Sequence, residues 1–186
     1  MRTVVEIGTA KGGTFYAWCR IAQARATIVS IDLPGGPFGG GYTLGDVKRF
    51  RKYGRKGQKL YFLRRDSHRG ATKKLVTRLV GGRNIDFLMI DGDHRYSGVR
   101  RDWEMYAPLV KERGIIVLHD ILFHPGVPAC KVHRLWNEIK GRYRHKEFVV
   151  TEDDRGWGPW GGIGVLFNDA GRQSGRTREL RKGGRA

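Results

Sequence analysis

Cysteine is scarce in this chain: Cys19 and Cys130 are the only two among 186 residues. Two cysteines make no disulfide framework, and a reducing, cytoplasmic setting is the expectation that follows. No run of about 18 apolar residues occurs, so no membrane span is expected. The N-terminus shows no charged-then-apolar leader and enters an apolar segment almost at once, which argues against a secretory signal. Acidic residues are also few, 18 Asp and Glu against 36 Lys and Arg, for a net charge of +18. What is present is ordinary for a folded domain: 39% hydrophobic and 11% aromatic residues, over a length that supports one sizeable core.

The positive excess is unevenly placed. Residues 48–83 hold fourteen Lys and Arg against Asp66 alone, and residues 171–186 hold six against Glu179, while the remainder of the chain is balanced. A patch of this kind attracts polyanions by counterion release, so a weak nucleic-acid contact through 48–83 is expected. The plainer reading is a set of solvated helix faces that keep the protein soluble. Residues 169–186 are rich in Gly and Arg with little apolar content, and are expected to form a disordered basic tail behind a domain at 1–168.

Apolar, β-branched runs at 3–7, 27–33, 59–63, 85–90 and 114–118 read as buried strands. Several are continuous rather than alternating, as in a sheet covered on both faces. Helices are expected between them, near 13–25, 44–55, 70–81 and 96–111, with a fifth at 130–142. The fourth is the clearest, because Val99, Trp103, Tyr106, Ala107 and Val110 share one face. Two further strands, 148–151 and 162–167, follow without a helix between them. Five β-α units and a closing hairpin describe an α/β fold, a doubly wound Rossmann-like sheet with one antiparallel strand near its end.

Three segments carry chemistry. Val4-Val5-Glu6-Ile7-Gly8-Thr9-Ala10-Lys11-Gly12-Gly13-Thr14 is a strand running into a glycine turn and a helix, which frees backbone N–H groups for a ligand. Asp32 ends the second strand, where a carboxylate accepts the hydroxyls of an adenosine ribose. The Gly-x-Gly-x-x-Gly spacing of NAD-binding turns and the Gly-Lys-Ser/Thr of a P-loop are both missing from this turn. Ile90-Asp91-Gly92-Asp93-His94 and Val117-Leu118-His119-Asp120-Ile121 end the fourth and fifth strands. Neighbouring ends of a parallel sheet lie close, so Asp91, His119 and Asp120 are candidates to share one divalent ion. The carboxylates suit Mg²⁺, and the histidine also admits Mn²⁺, Fe²⁺, Co²⁺ or Zn²⁺. His119 behind the ion rather than on it is an open alternative. His94 is a candidate general base, and hydrogen bonding within its turn is the blander role. Asp93 reads as a helix N-cap in preference to a ligand.

These motifs, with the loop Pro34-Gly35-Gly36-Pro37-Phe38-Gly39-Gly40-Gly41-Tyr42, resemble the class I S-adenosylmethionine (SAM) dependent methyltransferases over residues 3–167. They are most similar to the methyltransferase 24 and cephalosporin-hydroxylase-like families, relatives of the metal-dependent O-methyltransferases. The resemblance implies a seven-stranded sheet in the order 3-2-1-4-5-7-6. It also implies that Glu6 holds the glycine loop and the methionine ammonium region, and that Gly8, Gly12 and Thr14 serve the methionine end. Asp32 would bind ribose, and Asp66 with Ser67 would lie near adenine. Asp91 and His94 would be catalytic, with Asp91, His119 and Asp120 on the metal. The pair His119-Asp120 departs from the Asp-Asn, Asp-Asp or Glu-Asp of the related enzymes, which leaves the metal's identity open.

The activity implied is O-methylation of a hydroxylated small molecule of sugar or natural-product type. An RNA methyltransferase using the basic patch is an alternative, as is a non-catalytic SAM- or nucleic-acid-binding module. Related enzymes carry helices before the first strand that cover the acceptor site, whereas this chain begins two residues ahead of it. A partner subunit in a homo-oligomer, or the glycine loop acting as a lid, is expected to complete the pocket, unless the chain is truncated. His124, Trp157 and Trp160 are candidate acceptor-pocket residues, although core packing is the commoner role for the tryptophans.

Overall fold

The computed structural model describes residues 1–150 and 161–169. Its sheet has seven strands in the order β3-β2-β1-β4-β5-β7-β6: β1 (Thr3–Ile7), β2 (Thr27–Asp32), β3 (Lys59–Arg64), β4 (Ile85–Ile90), β5 (Val110–His119), β6 (Arg144–Phe148) and β7 (Ile163–Phe167). The first five run parallel, and β7 inserts antiparallel between β5 and β6.

The continuous apolar runs are explained by burial on both faces. All five residues of β1 are buried, with Val4 facing one core and Val5 and Ile7 the other. Helices α1 (Gly13–Ile21) and α2 (Leu44–Arg51) supply Phe15, Cys19 and Phe50 to the first core. On the opposite face, α3 (Gly70–Val80), α4 (Tyr96–Tyr106) and α5 (Val132–Ile139) supply Val76, Val80, Val99, Tyr106, Leu135 and Trp136. Thr72, Val76 and Val80 of α3 recur every four residues and form its buried stripe. The N-terminus of α2 is fixed by a reciprocal pair, Asp46 N–H to Thr43 Oγ1 and Thr43 N–H to Asp46 Oδ2.

Several boundaries differ from expectation, among them that of the second helix, expected at 44–55, which ends at Arg51. The helix expected at 13–25 stops at Ile21, where Ala22 turns extended. Helix α4 ends at Tyr106 and tightens into a 3₁₀ turn at Ala107–Leu109, so Val110 opens β5 rather than closing the helix. The sixth strand is Arg144–Phe148 instead of 148–151, because all five of its residues are exposed on the sheet's edge and carry no apolar alternation. The 3₁₀ turn at Lys140–Arg142 leads into it. The basic tail at 170–186 and the tryptophans Trp157 and Trp160 lie outside the described residues.

Candidate functional site

The turn after β1 is built so tightly that only glycine fits its first position. Gly8 has φ +87°, and a Cβ there would stand 1.9 Å from the Asp91 carbonyl oxygen. This closeness brings the ends of β1 and β4 together, where the Asp91 N–H donates to the Ile7 carbonyl at 2.8 Å. From β2, Asp32 Oδ2 accepts the N–H groups of Thr9 and Ala10 at 2.9 and 2.7 Å. One carboxylate oxygen is thereby committed to holding the loop. Burial raises the Asp32 pKa, although these backbone N–H groups oppose the shift.

A cavity of about 530 Å³ opens beside this turn, lined by Gly8, Asp32, Phe38, Asp66, Ser67, Asp91 and His94 among others. Glu6, Gly12 and Thr14, expected at a cofactor, are not among its lining residues. Glu6 is wholly buried and accepts from Thr9 Oγ1 at 2.6 Å and Trp18 Nε1 at 2.7 Å, with Thr14 bonded to it as well. Burial, foremost, raises its pKa. Gly12 has φ +83° at the start of α1, and a Cβ there would meet the Phe50 ring at 2.4 Å. Both its left-handed backbone and the ring beside it call for glycine. Asp66 is held by the His68 N–H at 2.8 Å and the Arg69 guanidinium at 3.2 Å.

The acids and histidines that end or follow β4 and β5 converge, Asp91 and His94 from the cavity's lining and His119 and Asp120 beyond it. His94 lies between two carboxylates, Nε2 at 3.2 Å from Asp91 Oδ1 and Nδ1 at 3.1 Å from Asp120 Oδ2. His119 Nδ1 lies 3.0 Å from Asp120 Oδ1 and 3.5 Å from Asp91 Oδ1. Asp120 takes this position with a left-handed backbone, φ 59°. Burial lowers the proton affinity of His94, but the bonds from Asp91 and Cys130 and the two carboxylate charges outweigh it and push the pKa up to about 10. The hydrogen bond to Asp120 likewise raises that of His119. Burial raises the Asp120 carboxyl, yet the bond from His119 and the two imidazoles hold it below the usual range.

Asp91, His119 and Asp120 each offer one ligand atom, all within 4.8 Å of one another. His119 Nδ1 is buried against the Asp120 carboxylate. Two oxygens and a nitrogen suit a divalent ion of hard or borderline character.

Asp93 is not the N-cap of α4. That place belongs to Arg95, which makes no side-chain cap bond. Asp93 instead accepts the Arg95 N–H at 3.0 Å and its guanidinium at 2.9 and 2.6 Å. Burial alone would raise its carboxyl, and the guanidinium prevails to lower it. His124 does not line the cavity.

Two residues went unassigned by sequence reasoning. Phe38, from the glycine loop, stacks on His94 with ring centroids 4.7 Å apart and planes 17° from parallel. The Cys130 thiol bonds the same imidazole. Neither has a local signal, since each reaches His94 from a distant loop.

The side chain of Asp102 is wholly buried and faces His68, with Nε2 at 3.4 Å from Oδ1. The Asp102 hydrogen bond raises the His68 pKa above its ordinary 6.5. Stability from this pair is complete below about pH 6.5 and is lost as pH rises through the folded-state value. The stability advantage of wild type over His68→Gln is therefore expected to shrink as pH rises above about 6.5. Urea unfolding at several pH values checks this, and a pH-independent difference would contradict it.

Among proteins of known family, residues 5–121 match the profile of a methyltransferase domain. An uncharacterized protein of Acanthamoeba polyphaga mimivirus is 32% identical over 152 residues. That match takes in 80% of this chain, which spans just under two thirds, 66%, of the relative's length. The fold is similar to that of the O-methyltransferase TomG of Streptomyces achromogenes, solved with SAM, at a TM-score of 0.61 and 14% identity, over 90% of this chain and 73% of that one. An O-methyltransferase of Bacillus cereus solved with SAH gives 0.57 and 12%, over 89% and 74%. The N-methyltransferase NodS of Bradyrhizobium japonicum gives 0.62 and 10%, over 90% and 85%.

Proposed function

Because the chain belongs to the methyltransferase-domain family just matched, we propose that it transfers a methyl group from SAM to a hydroxyl oxygen of a small molecule of sugar or natural-product type. The observation that carries this reading is that Asp91 and His94, which line a cavity of about 530 Å³, also meet His119 and Asp120. SAM supplies a methyl group already activated on a sulfonium. A divalent ion, Mg²⁺ in the first instance, would be held by Asp91, His119 and Asp120 and supply the positive charge that acidifies a hydroxyl.

The chain's own groups do the rest. Asp32 accepts ribose hydroxyls, Gly8 lets the backbone approach the ligand, and Asp66 and Ser67 form the wall toward the base. His94 takes the hydroxyl proton. To do so the ring must start neutral, so the reading requires that Asp91 and Asp120 be engaged by a cation. Phe38 covers one face of the imidazole and keeps water from it. Most of the acceleration then comes from alignment of the oxygen against the methyl group.

Calorimetric titration with SAM, with and without Mg²⁺, tests the cofactor. Micromolar binding is expected, and its absence from folded protein would overturn the reading. A screen of hydroxylated acceptors with the metal-loaded protein then tests the reaction.

A second reading, RNA as the bound substrate, is favoured by one observation. Of the fourteen cations at 48–83, only Arg49 and Arg69 are ion-paired among the described residues. The others lie on α2, on the edge strand β3, on α3 and in the segments that follow these elements. If they engage about five phosphates, log K for single-stranded RNA is expected to fall with a slope near −3.5 against log salt. Replacing Lys52, Lys56 and Lys59 by Glu should flatten that slope. A wild-type response already flat would sink this reading.

A further inference from the structure

Asp120 presents its two carboxylate oxygens to two different groups. Oδ1 faces His119 and the metal candidates, whereas Oδ2 faces His94 Nδ1 at 3.1 Å. On that second side Cys130 completes another set of donors. One ligand atom each from His94, Asp120 and Cys130 lies within 4.8 Å of the others. The three come from the turn after β4, the end of β5 and the segment before α5. The Lys131 N–H donates to the His94 carbonyl at 2.7 Å and the Cys130 N–H to the Val127 carbonyl at 2.9 Å, which fixes the thiol against the imidazole. Cys130 is 2% exposed and His94 opens on the cavity, so the set is shielded on one side and reachable on the other.

We propose that His94, Asp120 and Cys130 form a second metal site, selective for thiophilic divalent ions such as Zn²⁺, whose occupation blocks His94. A thiolate, a carboxylate and a neutral imidazole balance a dication, and sulfur and nitrogen donors favour Zn²⁺ over Mg²⁺. Binding displaces the thiol proton and the imidazolium proton to solvent and leaves a fourth position open to the cavity. Once ligated, the imidazole nitrogen has no lone pair to accept a substrate proton. The blocking rests on the reading of His94 as base, and the site itself does not.

X-ray absorption of the zinc-loaded, full-length protein at one equivalent of metal tests the site directly. One sulfur scatterer at about 2.3 Å is expected, and a shell of nitrogen and oxygen alone would overturn the proposal. Cobalt gives a second readout. Wild type and Cys19→Ser should show the near-ultraviolet thiolate-to-cobalt band, and Cys130→Ser should not; a band that survives in Cys130→Ser, or one missing from wild type, refutes the assignment. Zn²⁺ affinity, measured against a chelator, should fall more than about 10-fold in Cys130→Ser, since loss of even an outer partner costs that much. Circular dichroism confirms that the variant is folded. Should methyl transfer itself not be found, the sulfur shell still decides the site. Should it be found, Zn²⁺ inhibition that persists in Cys130→Ser would place the blocking ion elsewhere and end the proposal.

Discussion

Asp91→Ala is expected to abolish methyl transfer, lowering kcat by at least about 10³-fold, while leaving the SAM dissociation constant within about threefold. The separation follows from where the residue's two halves act. Its backbone closes the cofactor turn, through the N–H to the Ile7 carbonyl and the carbonyl packed against Gly8. Alanine retains both. Its carboxylate faces away from that turn, toward His94 at 3.2 Å and His119 at 3.5 Å, and that is what the substitution removes. Calorimetry with SAM and a product assay on one preparation make the test. Full turnover in the variant would mean that neither the cation nor the base depends on this cluster. Loss of SAM binding would mean that the carboxylate itself serves the cofactor.

Gly8→Ala should instead cost the protein its fold before its chemistry. An L-residue at φ +87° is strained by about 1–2 kcal/mol. The methyl carbon would also stand 1.9 Å from a backbone oxygen, which no rotamer change relieves, and overpacking of that kind costs about 1–3 kcal/mol more. A combined loss of about 2–5 kcal/mol takes a large share of an ordinary domain's stability and lowers Tm by roughly 5–20 °C. Gly13→Ala supplies the contrast. Its position opens α1 with ordinary backbone angles and no atom within 4 Å of an added Cβ, so a neutral or slightly stabilising change is expected. Thermal melts of the two variants decide the matter, and equal melting temperatures would contradict the strain argument.

Much of this arrangement is legible in the sequence, for physical reasons that differ by element. Strands β1, β2 and β4 announce themselves because burial on both faces demands unbroken apolar runs. The acids and histidines just past β4 and β5 stand out because charged groups end those runs abruptly. Strand β6 has no such signature: Arg144, His145, Lys146, Glu147 and Phe148 are all exposed, and only backbone pairing with β7 makes them a strand. The glycine turn was legible as a turn, but its division of labour was not. Glu6 holds the turn through Thr9, as its place suggests, but its bond with Trp18 and the fit of Gly12 against Phe50 have no local signal. Phe38 and Cys130 reach His94 across tens of residues, and no local spacing encodes such a meeting.

The left-handed backbone at Asp120 has a consequence for how this chain changes over generations. Asparagine and glycine tolerate that conformation best, and each is a single transition away from an aspartate codon. Drift at the position is thus channelled toward two residues that keep the turn but lack the charge. A descendant that carries Asn or Gly at 120 beside an intact Asp32 and Gly8 would preserve a well-formed nucleoside cavity around a discharged centre. The genetic code and one backbone angle together make that loss the easiest to suffer without unfolding.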